Sequence, residues 1–217
     1  MNILKPGEEL IASEKNYRAV YIEPMSVDNA YDLYLVRVSS GNYILIVFMK
    51  LQFFFENNGK LKWTFFEKNS FISQWKDSIQ TTWGGRTVKR LASGRTISVD
   101  FRFETQIEGW MRDHWELTVK RTRKWDAESS RTNAFLGNVY LESEDITLVP
   151  KGNGQKQRGS VHEFGHMLGI IVDEYREGGQ HAKDYKSVMN RGEAIESRHD
   201  ATYMRWLDKV VAEKGIN

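Results

Sequence analysis

The chain has 217 residues, 40% of them hydrophobic and 12% aromatic, with no cysteine and a formal net charge of +2. That length and apolar content suit one domain, or a domain with a small lobe, built round a real core. They exclude disulfides, thiol catalysis and cysteine-bound zinc, and the charge is too mild to imply a nucleic-acid partner. The apolar run over 43–49 is too short to span a bilayer. The N-terminus carries acidic residues and no apolar core segment, so it does not read as a secretory signal. A soluble cytoplasmic product is expected, one that would need a signal-independent export route if its substrate lies outside the cell.

Strands are expected over 17–22, 31–38 and 43–55, where β-branched and aromatic residues concentrate. Asn58-Gly59 marks a hairpin turn, with a return strand over 61–66. Asn69 or Ser70 then caps a helix. Its Phe71, Trp75, Ile79 and Trp83 recur every four residues and form one apolar face, and Gly84-Gly85 ends it. Two further strands alternate, the first through Ile97, Val99, Phe101 and Phe103, the second through Trp115, Leu117 and Val119. The basic clusters are Lys89-Arg90 and Lys120-Arg121-Thr122-Arg123-Lys124. The second ends an alternating strand and reads as an exposed edge kept soluble by its charges. A polar loop is expected over 123–133, a strand over 139–146 and a flexible connector over 150–159. Residues 174–186 read as a polar loop in which His181 is exposed to solvent. A final helix from Ser197 presents Met204, Leu207, Val210 and Val211 on one face.

Chemistry concentrates at His162-Glu163-Phe164-Gly165-His166. On a helix the two imidazoles lie one turn apart on the same face and can share one metal ion. Glu163 sits about 100° round the axis, off the ligand face but placed to take a proton from an attacking water. That division of labour is what metal-assisted peptide hydrolysis requires. Val161, Phe164, Met167, Leu168, Ile170 and Ile171 surround the pair with apolar surface, and Gly169 can stop the helix and turn the chain through a left-handed conformation. Ser160 with Glu163 also forms a capping-box pattern, which would compete with a catalytic role for Glu163.

These residues resemble the zincin metallopeptidases, most closely the H-E-x-x-H-x-x-G group with a downstream methionine turn. The run HEFGHMLG, then DEY, SVMN and RH, is similar to metallopeptidase domains of bacterial secreted effectors and toxins. The resemblance covers about residues 158–207. It implies an α+β, zincin-like fold: a mixed twisted sheet with a backing helix and an H-E-x-x-H active-site helix. A β-rich N-terminal region over 1–68 would precede a metallopeptidase domain over 69–217, as a lobe or as part of the same domain. It implies Zn²⁺ as cofactor, a protein or peptide substrate, and a strand edging the cleft that can pair with an extended peptide. In such domains the third ligand often follows the glycine by three residues. Val172 stands there and cannot bind metal. Asp173 is the first candidate, His199 the second, and Glu193 or Glu196 the third. Glu174 is a ligand or holds a ligand histidine in place, Tyr175 or His199 assists the developing oxyanion, and Met189 forms an apolar floor beneath the histidines.

Two other functions stay open on sequence. One is a non-catalytic binding module with a degenerate metal site, and the other is a peptidoglycan amidase. A cognate inhibitor or a delivery-system partner would be compatible with the resemblance, and the sequence does not identify either.

Overall fold

The computed structural model describes residues 3–110, 113–123 and 130–217. In chain order these form β1 (Glu9–Ile22), β2 (Met25–Arg37), β3 (Tyr43–Glu56), α1 (Phe65–Trp83), β4 (Thr87–Arg90), β5 (Thr96–Ile107), β6 (Trp115–Lys120), β7 (Arg131–Asn133) and β8 (Asn138–Glu142). A hairpin follows, β9 (Val149–Gly152) with β10 (Gln155–Gln157), then α2 (Gly159–Met167). A 3-10 turn over Ser197–Asp200 leads into α3 (Ala201–Glu213). The architecture is α+β, a curled mixed sheet with three helices.

Strand β3 organises the sheet. It runs antiparallel to β2 as far as Phe48, parallel to β5 from Tyr43 to Phe53, and parallel to β6 from Leu51 to Glu56. Because β5 overlaps both β2 and β6 along β3, it must hold the opposite edge from them. Strand β2 therefore leaves one edge of β3 just where β6 takes it up. Outward from β6 come β8 and then β7, the last antiparallel to its neighbour. The hydrogen-bonded sheet thus runs across residue 68.

His114 fills the gap where the two strands exchange places. Its backbone N–H donates to the Lys50 carbonyl at 2.9 Å, and its Nδ1 accepts the Lys50 N–H at 2.9 Å. The other ring nitrogen therefore carries the hydrogen, and it faces Asp32 Oδ1 at 3.3 Å. Asp32 also accepts from the Asn16 backbone at 2.8 Å and from Lys15 at 3.0 Å. Burial pushes Asp32 up, but the bonds from His114, Asn16 and Lys15 outweigh it and bring the carboxyl down to about 2. An acid depressed by folding stabilises the protein above its unfolded pKa, and the contribution is lost as pH falls through the folded one. The wild type is expected to lose about 2 kcal/mol from this group between pH 4 and pH 2. Asp32→Asn should flatten that limb, read from urea midpoints at pH 5 and pH 2.5; an unchanged limb would remove Asp32 from the account.

The core lies between the sheet and the helices. Phe71, Ile72, Trp75, Ile79 and Trp83 of α1 are buried, as the four-residue stripe requires. Phe164 of α2 packs edge-on against Trp75 and Trp83 of α1 and against Phe101 and Phe103 of β5. Helix α3 closes the hairpin end, where Tyr17 donates to the Thr202 carbonyl at 3.1 Å. A smaller apolar cluster of Tyr34, Val36, Ile46 and Phe48, with Ile3 and Leu4 against it, is separate from this core.

Several expectations are corrected. Helix α1 begins at Phe65, not after Asn69 or Ser70, because Thr64 and Glu67 form a reciprocal capping box. The Asn58-Gly59 turn closes between Asn58 and Leu61, but no return strand over 61–66 follows; Phe65 and Phe66 are exposed in the first helical turn. Strand β6 is interior rather than an edge. Its following Arg121 lies 4.6 Å over the Trp63 ring and 2.6 Å from Glu67. The expected loop over 123–133 contains β7, and its residues 124–129, with Lys124 of the basic cluster, lie outside the described residues. The connector over 150–159 is mostly the β9–β10 hairpin, turning at Asn153 and Gly154, both at positive φ. Among the described residues no helix is long and apolar enough to cross a membrane.

Candidate metal centre and cleft

Helix α2 carries His162, Glu163 and His166 in nine residues, nearly all buried. Ser160 is not its cap. The helix starts at Gly159, and the Ser160 N–H donates to the Asp145 carbonyl at 3.0 Å. Glu163 is accordingly free of the capping box. Gly159 is needed because a Cβ there would overlap the Asp145 carboxylate. Burial, with Glu142 and Glu163 close by, pushes that carboxyl up to about 6 against the bond it accepts from the Glu142 backbone. The helix ends at Met167, and Gly169 just beyond it reverses the chain with a φ of +96°; a Cβ there would also lie 2.7 Å from Ala19.

The reversal brings Asp173 back to the histidines. Its Oδ1 lies 3.0 Å from His162 Nε2 and 3.2 Å from His166 Nε2. Each histidine meets a backbone carbonyl through its other nitrogen. His162 Nδ1 is 2.9 Å from the Val188 oxygen, and His166 Nδ1 is 2.5 Å from the Ile170 oxygen. A carbonyl only accepts, so each Nδ1 must carry a hydrogen and each neutral ring presents a bare lone pair at Nε2. With both rings neutral, two lone pairs and a carboxylate oxygen therefore converge; a ring that takes up a proton instead donates it from Nε2 to Asp173. The mutual effects follow: burial opposes the charge on His166, but Asp173 and Glu163 outweigh it and raise its pKa. Burial likewise opposes the charge on Asp173, and the two histidines hold its carboxyl far below the usual carboxylate range.

The turn over residues 187–190 supports the helix from beneath. Ser187 accepts the Asn190 N–H at 3.0 Å through its carbonyl and the Met189 N–H at 3.2 Å through its hydroxyl. Gln157 pins the turn by donating to the Val188 and Gly192 carbonyls at 2.7 Å each. Met189 is buried so close under the helix that a Cβ at Gly165 would overlap its sulfur.

The remaining candidates are placed elsewhere or serve other contacts. His199 is wholly buried; its Nδ1 accepts the Glu196 N–H at 3.0 Å, and its Nε2 faces Glu174 at 3.1 Å and Ser187 at 3.3 Å. Glu174 receives two bonds from Arg198, at 2.6 and 2.9 Å. Burial works against its charge, but Arg198 and His199 keep its carboxyl well below the usual range. Glu193 is taken by Arg158 at 2.6 Å, and Glu196 caps the 3-10 turn. Among the described residues, His162, His166 and Asp173 are the one group of such donors that converges. His181 does not join it, though its carbonyl, with that of Ala182, accepts from Asn190. Tyr175 stacks on the His162 ring at 6.1 Å. Burial and a bond to Asp173 push its phenol up to about 12, so it is a hydrogen-bond donor at neutral pH.

Thr132, which no sequence pattern singles out, touches the expected base directly: its hydroxyl donates to Glu163 Oε2 at 2.8 Å. A cleft runs past this point in two halves of about 600 and 610 Å³, both lined by Ser130, His162, Glu163 and Tyr175. One half extends to Leu148, Pro150 and Arg191. The other is walled by β7, with Phe135 and Tyr140. No protein-family model and no curated protein matches this chain.

Proposed function

We propose that the chain is a zinc-dependent endopeptidase of zincin-like fold. The observation that carries this reading is the convergence of the two Nε2 lone pairs and Asp173 Oδ1, with each Nδ1 anchored on a carbonyl. Two imidazoles and a carboxylate are a donor set that suits Zn²⁺ with a position left open. His162, His166 and Asp173 would hold the ion, which supplies Lewis-acid polarisation of the water and of the scissile carbonyl.

The chain's own groups do the rest. Glu163 takes the proton of the attacking water and passes it to the departing amine nitrogen. Tyr175, still protonated at neutral pH and stacked on the His162 ring, would turn from Asp173 to the developing oxyanion. Among the described residues β7 is paired on one edge only, and its other edge would offer backbone groups to an extended peptide, which supports a polypeptide substrate. Delivery as a secreted effector or toxin is proposed on the motif resemblance.

Zinc titration of metal-free protein is expected to reach one equivalent, and the loaded protein to cut denatured casein but not purified cell-wall fragments. Failure to bind zinc would favour a binding module, and cutting only the cell wall would favour an amidase. Asp173→Asn is expected to weaken zinc at least about 100-fold in chelator competition, whereas Glu193→Gln should leave it within about twofold. The reverse order would displace Asp173 as third ligand.

A further inference from the structure

We propose that Thr132 is a positioning residue that fixes the Glu163 carboxylate, so that Oε1 alone handles the proton. The inference rests on the reading of Glu163 as the base. Thr132 is the central residue of β7, half-buried between the exposed Arg131 and Asn133. Its backbone is set by pairing with Val139 of β8. The side chain thus points inward from a fixed strand, and its hydroxyl reaches Glu163 Oε2 at 2.8 Å.

A carboxylate turns almost freely about its last bond, since that torsion is broad and roughly two-fold. Nothing within Glu163 distinguishes its two oxygens. A single hydroxyl donor does. The hydroxyl draws charge onto Oε2 and lowers its basicity, so an incoming proton goes to Oε1. The reverse arrangement, with Oε2 protonated and donating to Thr132, would turn the hydroxyl to its other neighbour, the Glu163 carbonyl at 3.4 Å, a much poorer bond. In the reaction, Oε1 takes the water proton as the C–O bond forms. It returns that proton to the amide nitrogen as the C–N bond breaks. Glu163 ends the cycle as it began, and Oε2 stays on Thr132 throughout.

The test compares Thr132→Val, which keeps the shape and removes the hydroxyl, with Thr132→Ser, which keeps the hydroxyl. On a casein-derived peptide, Thr132→Val is expected to lower kcat about 10–100-fold with KM within about threefold. Bound zinc should be unchanged, and Thr132→Ser should recover kcat to within about threefold. Thr132→Ala replaces the valine variant if that one does not fold. Crystal structures of the metal-free proteins give a second readout: one carboxylate orientation in the wild type and the serine variant, and a turned or split one in the valine variant. Wild-type kcat in Thr132→Val, a serine variant as impaired as the valine one, or a change confined to KM would each overturn the proposal. Glu163→Gln in the same assay separates the two levels. If it is inactive while Thr132→Val is normal, only the positioning role fails. If it remains active, the base reading fails and Thr132 with it.

Discussion

Glu163→Gln is expected to lower peptide hydrolysis by roughly 10²–10⁴-fold while one zinc stays bound. The amide has nearly the shape of the carboxylate, and its oxygen can still accept the Thr132 hydroxyl that now meets Oε2 at 2.8 Å. Helix α2 should therefore keep its packing, and the three converging donors lose nothing, because Glu163 is not among them. What the amide cannot do is take a proton from water at neutral pH. Zinc analysis on the same sample as the peptide assay reads both halves of the prediction. Full activity would remove Glu163 as the base; loss of zinc would mean that the substitution had disturbed the helix.

Phe164→Ala is expected to carry the largest cost in stability, about 3–5 kcal/mol. The ring is fully buried between the histidines in sequence and points the opposite way in space, into Trp75, Trp83, Phe101 and Phe103. Alanine would leave a cavity bordered by aromatic groups from α1 and from the sheet, which cannot all collapse inward together. Urea unfolding of the metal-free protein measures the loss. A value under about 1 kcal/mol would show that the helix is not anchored through this ring. Zinc affinity should fall as well, because the face opposite Phe164 carries His162 and His166.

Where an element's own residues carry the signal, it was legible in advance. The stripe of Phe71, Trp75, Ile79 and Trp83 specifies a helix and its buried face. The alternation in β5 and β6 specifies two strands, and Gly169 specifies the reversal after α2. Thr64 with Glu67 was equally local, but the neighbouring aromatic pair Phe65-Phe66 read as strand. β7 is different in kind. Three polar residues have no periodicity, and they become a strand only because Val139 and its neighbours are already in place beside them.

The candidate site divides in the same way. Four-residue spacing alone puts His162 and His166 on one face of a helix, and any helix through those residues would do so. Spacing ranked Asp173 ahead of His199, Glu193 and Glu196, but it could not show which of them meets the two rings. The choice of Asp173 follows from a left-handed turn that returns it to the rings, and from Glu174, Arg158 and the 3-10 turn, which engage the competitors elsewhere. Local sequence determined which side chains stand together one turn apart, because helix geometry is short-ranged. Only the tertiary structure decided which distant carboxylate, carbonyls and hydroxyl meet them, because those distances depend on how separate elements pack.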